Sequence, residues 1–206
     1  MCGIFGCVGE QDVSGKIING LKSLEYRGYD SAGICLNNTN NNFEIIKSYN
    51  SNYPVNVLEK SLNNSKIYSE SGIGHTRWAT HGIVNNINTH PHLSFSKKTS
   101  IVHNGIIENY EELKSNLQKK GVNFHSETDT EVIANLIQLN FDETPDVKQA
   151  IIKTVSQLKG HYSFVVIFED GTIVGARFHE PLIVGIGKNS YYLSSDVLGF
   201  IEKTDD

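Results

Sequence analysis

The 206-residue chain is short of cysteine, of clustered basic residues and of long apolar runs, and each scarcity removes a class of function. Its three cysteines, Cys2, Cys7 and Cys35, form an odd and small set. With no basic segment followed by an apolar stretch at the start, no secretory signal is expected and a disulfide framework is excluded. The expected compartment is reducing and cytoplasmic. The formal net charge is −5, with Lys and Arg scattered. Phosphate contacts need clustered Lys and Arg, so nucleic acid is not an expected partner. The longest apolar run, Tyr162 to Phe168, is broken by Ser163 and falls far short of the roughly 20 residues a membrane helix needs, so no membrane contact is expected either. A single tryptophan, Trp78, completes the list of scarce residues.

What is present reads as one α+β domain over residues 1–206. Apolar runs and alternation predict strands at 3–8, 32–36, 43–49, 100–103, 161–168, 172–176, 182–186 and 191–194. The first of the helices spans 14–24, with Ile17, Ile18, Leu21 and Leu24 on one face; others are predicted at 55–62, 110–120 and 147–158. A capping box, Thr128-Asp129-Thr130-Glu131, opens a further helix. Asp170-Gly171 marks a hairpin, and Asn37 to Asn42 a polar loop. Asn104-Gly105 is expected to follow the end of its strand. Strands at both ends with helices between them imply two sheets with helices packed outside. Cys7 and Cys35 lie in apolar stretches and are expected as buried packing residues.

Cys2 is different because it follows the initiator methionine. Removal of Met1 would make it the N-terminal residue, carrying a thiol nucleophile and a free α-amine together. That amine, with an ordinary pKa of about 7.7–8.0, can act as general base near neutrality. Met-Cys alone is weak evidence, since an ordinary exposed thiol fits it equally.

The blocks beyond it are more specific. Met1-Cys2-Gly3-Ile4-Phe5-Gly6 resembles the opening of the class II glutamine amidotransferases, a branch of the N-terminal-nucleophile hydrolases. Leu24-Glu25-Tyr26-Arg27-Gly28-Tyr29-Asp30-Ser31-Ala32-Gly33 and Gly74-His75-Thr76-Arg77-Trp78-Ala79-Thr80-His81-Gly82 resemble its arginine-glycine and glutamine-binding blocks. Asn88-Thr89-His90-Pro91-His92, Val102-His103-Asn104-Gly105-Ile106-Ile107-Glu108-Asn109 and Ser126-Glu127-Thr128-Asp129-Thr130-Glu131 also match, in the family's order. Their wording is that of the branch that aminates a sugar phosphate.

The resemblance implies a four-layer αββα sandwich and hydrolysis of L-glutamine to glutamate and ammonia through a γ-glutamyl thioester on Cys2. It implies no metal and no cofactor. Asn104 and Gly105 would form the oxyanion hole, and Arg27 would orient the N-terminal residue. Arg77 would bind the glutamine α-carboxylate, with Thr80 and His81 adding hydrogen bonds and Asp129 taking the α-ammonium. Trp78 would sit on a loop that closes over glutamine and gates ammonia transfer. Plainer readings stand beside these: an Asn-Gly turn, a surface Arg27–Asp30 ion pair, Asp129 complementing a helix dipole, and Trp78 as a core aromatic. His75, His81, His90, His92 and His103 fit no familiar zinc spacing, and all but His81 are expected to be structural or hydrogen-bonding.

Two features depart from the family. Arg177-Phe178-His179-Glu180-Pro181-Leu182 replaces a small Gly-Ser pair before Pro-Leu. No sugar-isomerase half follows, and the chain stops before the last strands expected of such a domain. In the full enzyme, ammonia would pass to fructose-6-phosphate in a sugar-phosphate isomerase domain or chain. A silent glutamine-sensing module, a metal-binding histidine protein and a stand-alone amidase of the same superfamily are the alternatives.

Overall fold

Runs rich in Ile, Val, Phe and Tyr pleat readily, and they supply ten strands among the residues described by the computed structural model: 2–38, 40–49, 51–65, 67–78 and 83–202. Strands β1 (Gly3–Gly9), β2 (Ser31–Asn38), β3 (Phe43–Tyr49), β4 (Ser69–Arg77), β9 (Ile183–Gly187) and β10 (Ser190–Ser194) form one sheet in the order β3-β2-β4-β1-β10-β9. Strands β5 (His92–Leu93), β6 (Thr99–Ile107), β7 (Gly160–Phe168) and β8 (Ile173–Phe178) form the other, in sequence order. Every pairing between strands is antiparallel.

The central strands of each sheet are buried on both faces, and alternation sorts their side chains between them. On the outer face of the six-stranded sheet, Phe5, Ile34, Leu36 and Tyr192 pack on helices α1 (Ser14–Leu24) and α2 (Pro54–Ser65) through Ile17, Leu21, Leu24, Val55 and Leu58. On the outer face of the four-stranded sheet, Ile101, Phe164, Val166 and Phe168 meet α3 (Tyr110–Lys119), α4 (Asp129–Glu143) and α5 (Val147–Val155). The inner faces meet through Ile4, Cys35 and Ile73 on one side and Val102, Val165 and Ile167 on the other. This is the four-layer αββα arrangement. No helix among the described residues is long and apolar enough to cross a membrane.

Helix α1 and strand β3 occupy the residues that periodicity predicts. Three local expectations are corrected. Asn104-Gly105 does not follow a strand end, because β6 runs on to Ile107 and Gly105 pairs with Tyr162. Gly105 keeps the ladder with φ +112°, and a Cβ there would lie 2.1 Å from the His161 carbonyl oxygen, so only glycine fits. At the start of α4 the capping box does not close. The Thr128 hydroxyl faces Ser126 and His92 instead, while the Glu131 carboxylate accepts from the Ser126 hydroxyl and from the main-chain N–H groups of Ser126 and His125. Helix α5 stops at Val155, short of the expected Leu158. Cys7 and Cys35 are buried, as their apolar surroundings imply.

The outer layers carry the bulk of the apolar burial, so a cavity there is expected to be costly. Ile137→Ala removes a fully buried side chain between α4 and its sheet. It is expected to lower unfolding free energy by about 2–5 kcal/mol in chemical denaturation. Ile152→Ala, on the exposed side of α5, is expected to fall within about 0.5 kcal/mol of the parent.

Candidate active site

Alternation along β4 turns the inner layer from apolar to polar. Ile73 belongs to the core between the sheets, and two and four residues on, His75 and Arg77 leave the same face of the strand. Strand β6 repeats the pattern, with Val102 in the core and Asn104 two residues later. The start of β1 lies alongside, with Gly3 opposite Thr76 and Ile4 opposite His75. Cys2 therefore emerges where the apolar layer ends.

Two side chains hold the Cys2 main-chain carbonyl. Arg27 Nε donates to it at 3.1 Å and Asn104 Nδ2 at 2.9 Å. The thiol lies against the Trp78 main chain, whose N–H is 3.3 Å from Sγ and whose carbonyl oxygen is 3.7 Å away. Burial pushes the Cys2 thiol pKa up, while the Trp78 N–H and the Arg77 charge pull it down. Asn104 uses its other amide atom as well, Oδ1 lying 2.9 Å from His75 Nε2.

Arg27 is 7 % exposed, so it is not a surface residue, and Nη1 pairs with Asp196 at 3.2 Å. Asp196 also accepts from the Tyr26 hydroxyl at 2.8 Å. Its neighbour Ser195 binds the first strand, accepting the Ile4 N–H on Oγ at 2.9 Å and donating its own N–H to the Ile4 carbonyl at 3.1 Å. No local pattern near Asp196 announces this role, 169 residues from Arg27. His75 does carry a signal, since it shares a strand face with Arg77.

Arg77 is buried at the end of β4, opposite Ser31. Gly28 permits that approach, because a Cβ on it would lie 2.6 Å from the Arg77 carbonyl carbon. Asp129, the first residue of α4, accepts the Ile107 N–H at 2.9 Å, which fixes its carboxylate to the strand of Asn104 and Gly105. Its other oxygen lies 3.7 Å from His103 Nδ1. Trp78 is not a core residue: it is 48 % exposed, with its ring 5.6 Å from that of Tyr29. Thr80 and His81 lie outside the described residues. A cleft of about 430 Å³ lined by Lys47, His92, Phe95 and Glu131 opens elsewhere and touches none of the predicted site residues among those described.

The segment that departs from the family, remote in sequence, is close in space. His179 bridges to Tyr162, the strand partner of Gly105, and Glu180 pairs with His161 at 3.0 Å. His179 takes φ +65°, a backbone that a small glycine adopts more easily.

His75, His90, His92 and His103 lie together in the interior. The rings of His75 and His90 are 4.3 Å apart and those of His90 and His92 4.9 Å, while His103 Nδ1 meets the Thr130 hydroxyl at 3.0 Å. Among the described residues, no three His, Cys, Asp or Glu side chains are arranged to hold a metal ion. Burial holds all four rings below the ordinary histidine range, His75 down to about 3.

The model of the family described as glutamine amidotransferase domain matches residues 75–201. The chain belongs to this family. It is 46 % identical over 206 residues to a glutamine–fructose-6-phosphate aminotransferase (isomerizing) of Pyrococcus horikoshii, and 44 % identical to one of Haemophilus ducreyi. Each match takes 99 % of this chain but only 34 % and 33 % of the relative, so the chain spans about a third of their length. Among solved structures, glutamine phosphoribosylpyrophosphate amidotransferase from B. subtilis superposes with a TM-score of 0.81 at 28 % identity, over 97 % of this chain and 43 % of that one. The fold is thus that of the N-terminal-nucleophile hydrolases, as the opening residues imply.

The buried histidines make the amidotransferase domain acid-labile. Unfolded histidines bind protons below about pH 6.5, whereas these four, held lower, stay neutral. The unfolded state then binds more protons, so stability is full above that pH and lost as pH falls through it. For His75, held down to about 3, the loss is expected to approach about 1.4 kcal/mol per pH unit below the ordinary histidine range, with the other rings adding in the same direction. Denaturant midpoints at pH 7.5, 6.5 and 5.5 measure it, and a flat profile would show that the rings titrate normally.

Proposed function

We propose that this chain hydrolyses L-glutamine to glutamate and ammonia, with Cys2 as nucleophile. The observation that carries the reading is the placement of Cys2, its carbonyl held by Arg27 and Asn104 and its thiol against the Trp78 main chain. Loss of Met1 frees the α-amine of Cys2, which takes the thiol proton as sulfur attacks the side-chain amide carbon. The C=O electron pair moves onto oxygen, and the second Asn104 Nδ2–H and the Gly105 N–H receive that charge in a site already organised for it. Collapse returns the pair, breaks the C–N bond and releases ammonia, which carries away the amine's proton. Water then cleaves the γ-glutamyl thioester and restores the thiol.

The remaining roles concern the other end of glutamine. Arg77 clamps the α-carboxylate through its planar fork. Asp129 takes the α-ammonium, and Thr80 and His81 add hydrogen bonds. Arg27 orients the nucleophile residue, and Trp78 covers bound glutamine. The relatives' shared name supports a sugar phosphate, fructose-6-phosphate, as the final acceptor of the ammonia, held on an isomerase domain or partner chain. The setting is cytoplasmic and reducing, which keeps the partly exposed Cys2 thiol free.

Glutamate release by the purified chain, with the N-terminal mass recorded, tests the reading. Cys2→Ala is expected to abolish release. Arg77→Lys keeps the charge but loses the fork, and is expected to lower kcat/KM by roughly 10- to 100-fold, mainly through KM. A folded chain lacking Met1 that releases no glutamate would overturn hydrolysis in favour of glutamine sensing.

A further inference from the structure

The mechanism above gives no task to His75, yet this buried ring touches the one side chain whose orientation the reaction depends on. An asparagine amide presents a donor on one side and an acceptor on the other, and a half-turn exchanges them. Asn104 faces two partners, His75 Nε2 and the Cys2 carbonyl, each at 2.9 Å. Whichever group His75 demands, Cys2 receives the other.

The two tautomers of His75 therefore have opposite consequences. With its proton on Nε2, the ring donates to Asn104 Oδ1, and the NH₂ group turns to the Cys2 carbonyl and the space where negative charge develops. With the proton on Nδ1, Nε2 is an acceptor and draws the NH₂ group to itself. Oδ1 would then face the Cys2 oxygen, acceptor against acceptor, and nothing from Asn104 could stabilise an oxyanion.

The Cys2 carbonyl favours the first arrangement, because it can only accept and so calls for the NH₂ group of Asn104. His90 Nδ1 lies 3.2 Å from His75 Nδ1 and 3.3 Å from Nε2, a contact compatible with His75 Nδ1 accepting while Nε2 donates to Asn104. Burial, the Arg77 charge and the neighbouring His103 keep the ring neutral. The ring is also clamped sterically, with the His90 ring tilted against it at 4.3 Å.

We propose that His75, neutral and protonated on Nε2, is a positioning residue that locks the Asn104 amide with its donor end toward the nucleophile. It acts through Asn104 and touches no reacting atom. The proposal rests on the glutamine-hydrolysing reading, in which Asn104 stabilises the oxyanion.

The test begins with a measurement that needs no turnover. Long-range ¹H–¹⁵N NMR of the unsubstituted chain assigns the His75 tautomer, expected as Nε2–H; an Nδ1–H ring would overturn the proposal whether or not the chain hydrolyses glutamine. A chain that releases no glutamate but shows the Nε2–H ring sinks the hydrolytic reading while leaving the amide lock standing. Kinetics follow. His75→Leu is expected to lower kcat about 10²- to 10³-fold, the cost of losing one oxyanion donor, with KM within a few-fold. His75→Gln, which returns an N–H near the same place, is expected to recover most of that loss.

Glutamate γ-semialdehyde supplies a readout that packing alone would not move. The Cys2 sulfur adds to its aldehyde carbon, the C=O pair goes to oxygen, and the thiol proton neutralises the product thiohemiacetal. In His75→Leu its affinity should fall in parallel with kcat, while glutamate affinity holds. In an Asn104→Ala background, His75→Leu should cost no more than about two-fold further, because the residue through which it acts is gone. Multiplicative losses in that cycle, or an equal fall in glutamate affinity, would overturn the proposal.

Discussion

The main-chain carbonyl of Cys2 accepts a hydrogen bond from each half of the molecule. Arg27 reaches it from the segment after α1, and Asn104 from the four-stranded sheet. Chain ends fray unless something ties them down, and this oxygen is where the first residues are tied. The Arg27 guanidinium is itself held by Asp196, so the order of Cys2 depends on three segments that meet only in the folded state. Removing either donor would leave the other hydrogen bond to position the residue alone.

The site is a continuation of the core by the same rule. Alternation places Ile73 and Val102 between the sheets, and simply carries on to His75, Arg77 and Asn104 where the layer reaches its edge. A close-packed interior has little slack. The sheet separation set by Ile4, Ile73, Val102 and Val165 is thus also the separation across which His75 meets Asn104. Polar partners replace apolar ones at this edge because each buried nitrogen and oxygen must find its complement.

Much of this was legible in the sequence, and what escaped has physical reasons. Periodicity located α1 and β3 because their apolar faces pack on a single layer. The Cys2, Arg27, Arg77 and Asn104 blocks pointed to residues that the fold does bring together. Asn104-Gly105 is expected from the sequence to follow the end of its strand because Asn-Gly pairs commonly break one; only the partner strand reveals that Gly105 continues the ladder. The capping box misled because Glu131 found better donors in the segment before the helix. Asp196 and Ser195 escaped entirely, since their partners Arg27 and Ile4 lie more than a hundred residues away. Sequence distance likewise concealed that Phe178-His179-Glu180 lies beside the strand pairing with Gly105.

Strand β1 is the first to be made, yet it lies between β4 and β10 in the middle of its sheet. Its register with β10 pairs Phe5 with Ser194 and Gly9 with Ser190, and Ser195 and Asp196 complete the hold on Ile4 and Arg27. Such pairing closes nearly the whole chain into one loop, an ordering that topology makes slow. A ribosome-bound chain therefore carries its cysteine with one flank unzipped and its arginine without the Asp196 counter-charge. Cys2 and Arg27 gain that hold only once residues 190–196 have arrived, so order at the first strand waits on a segment made long after it.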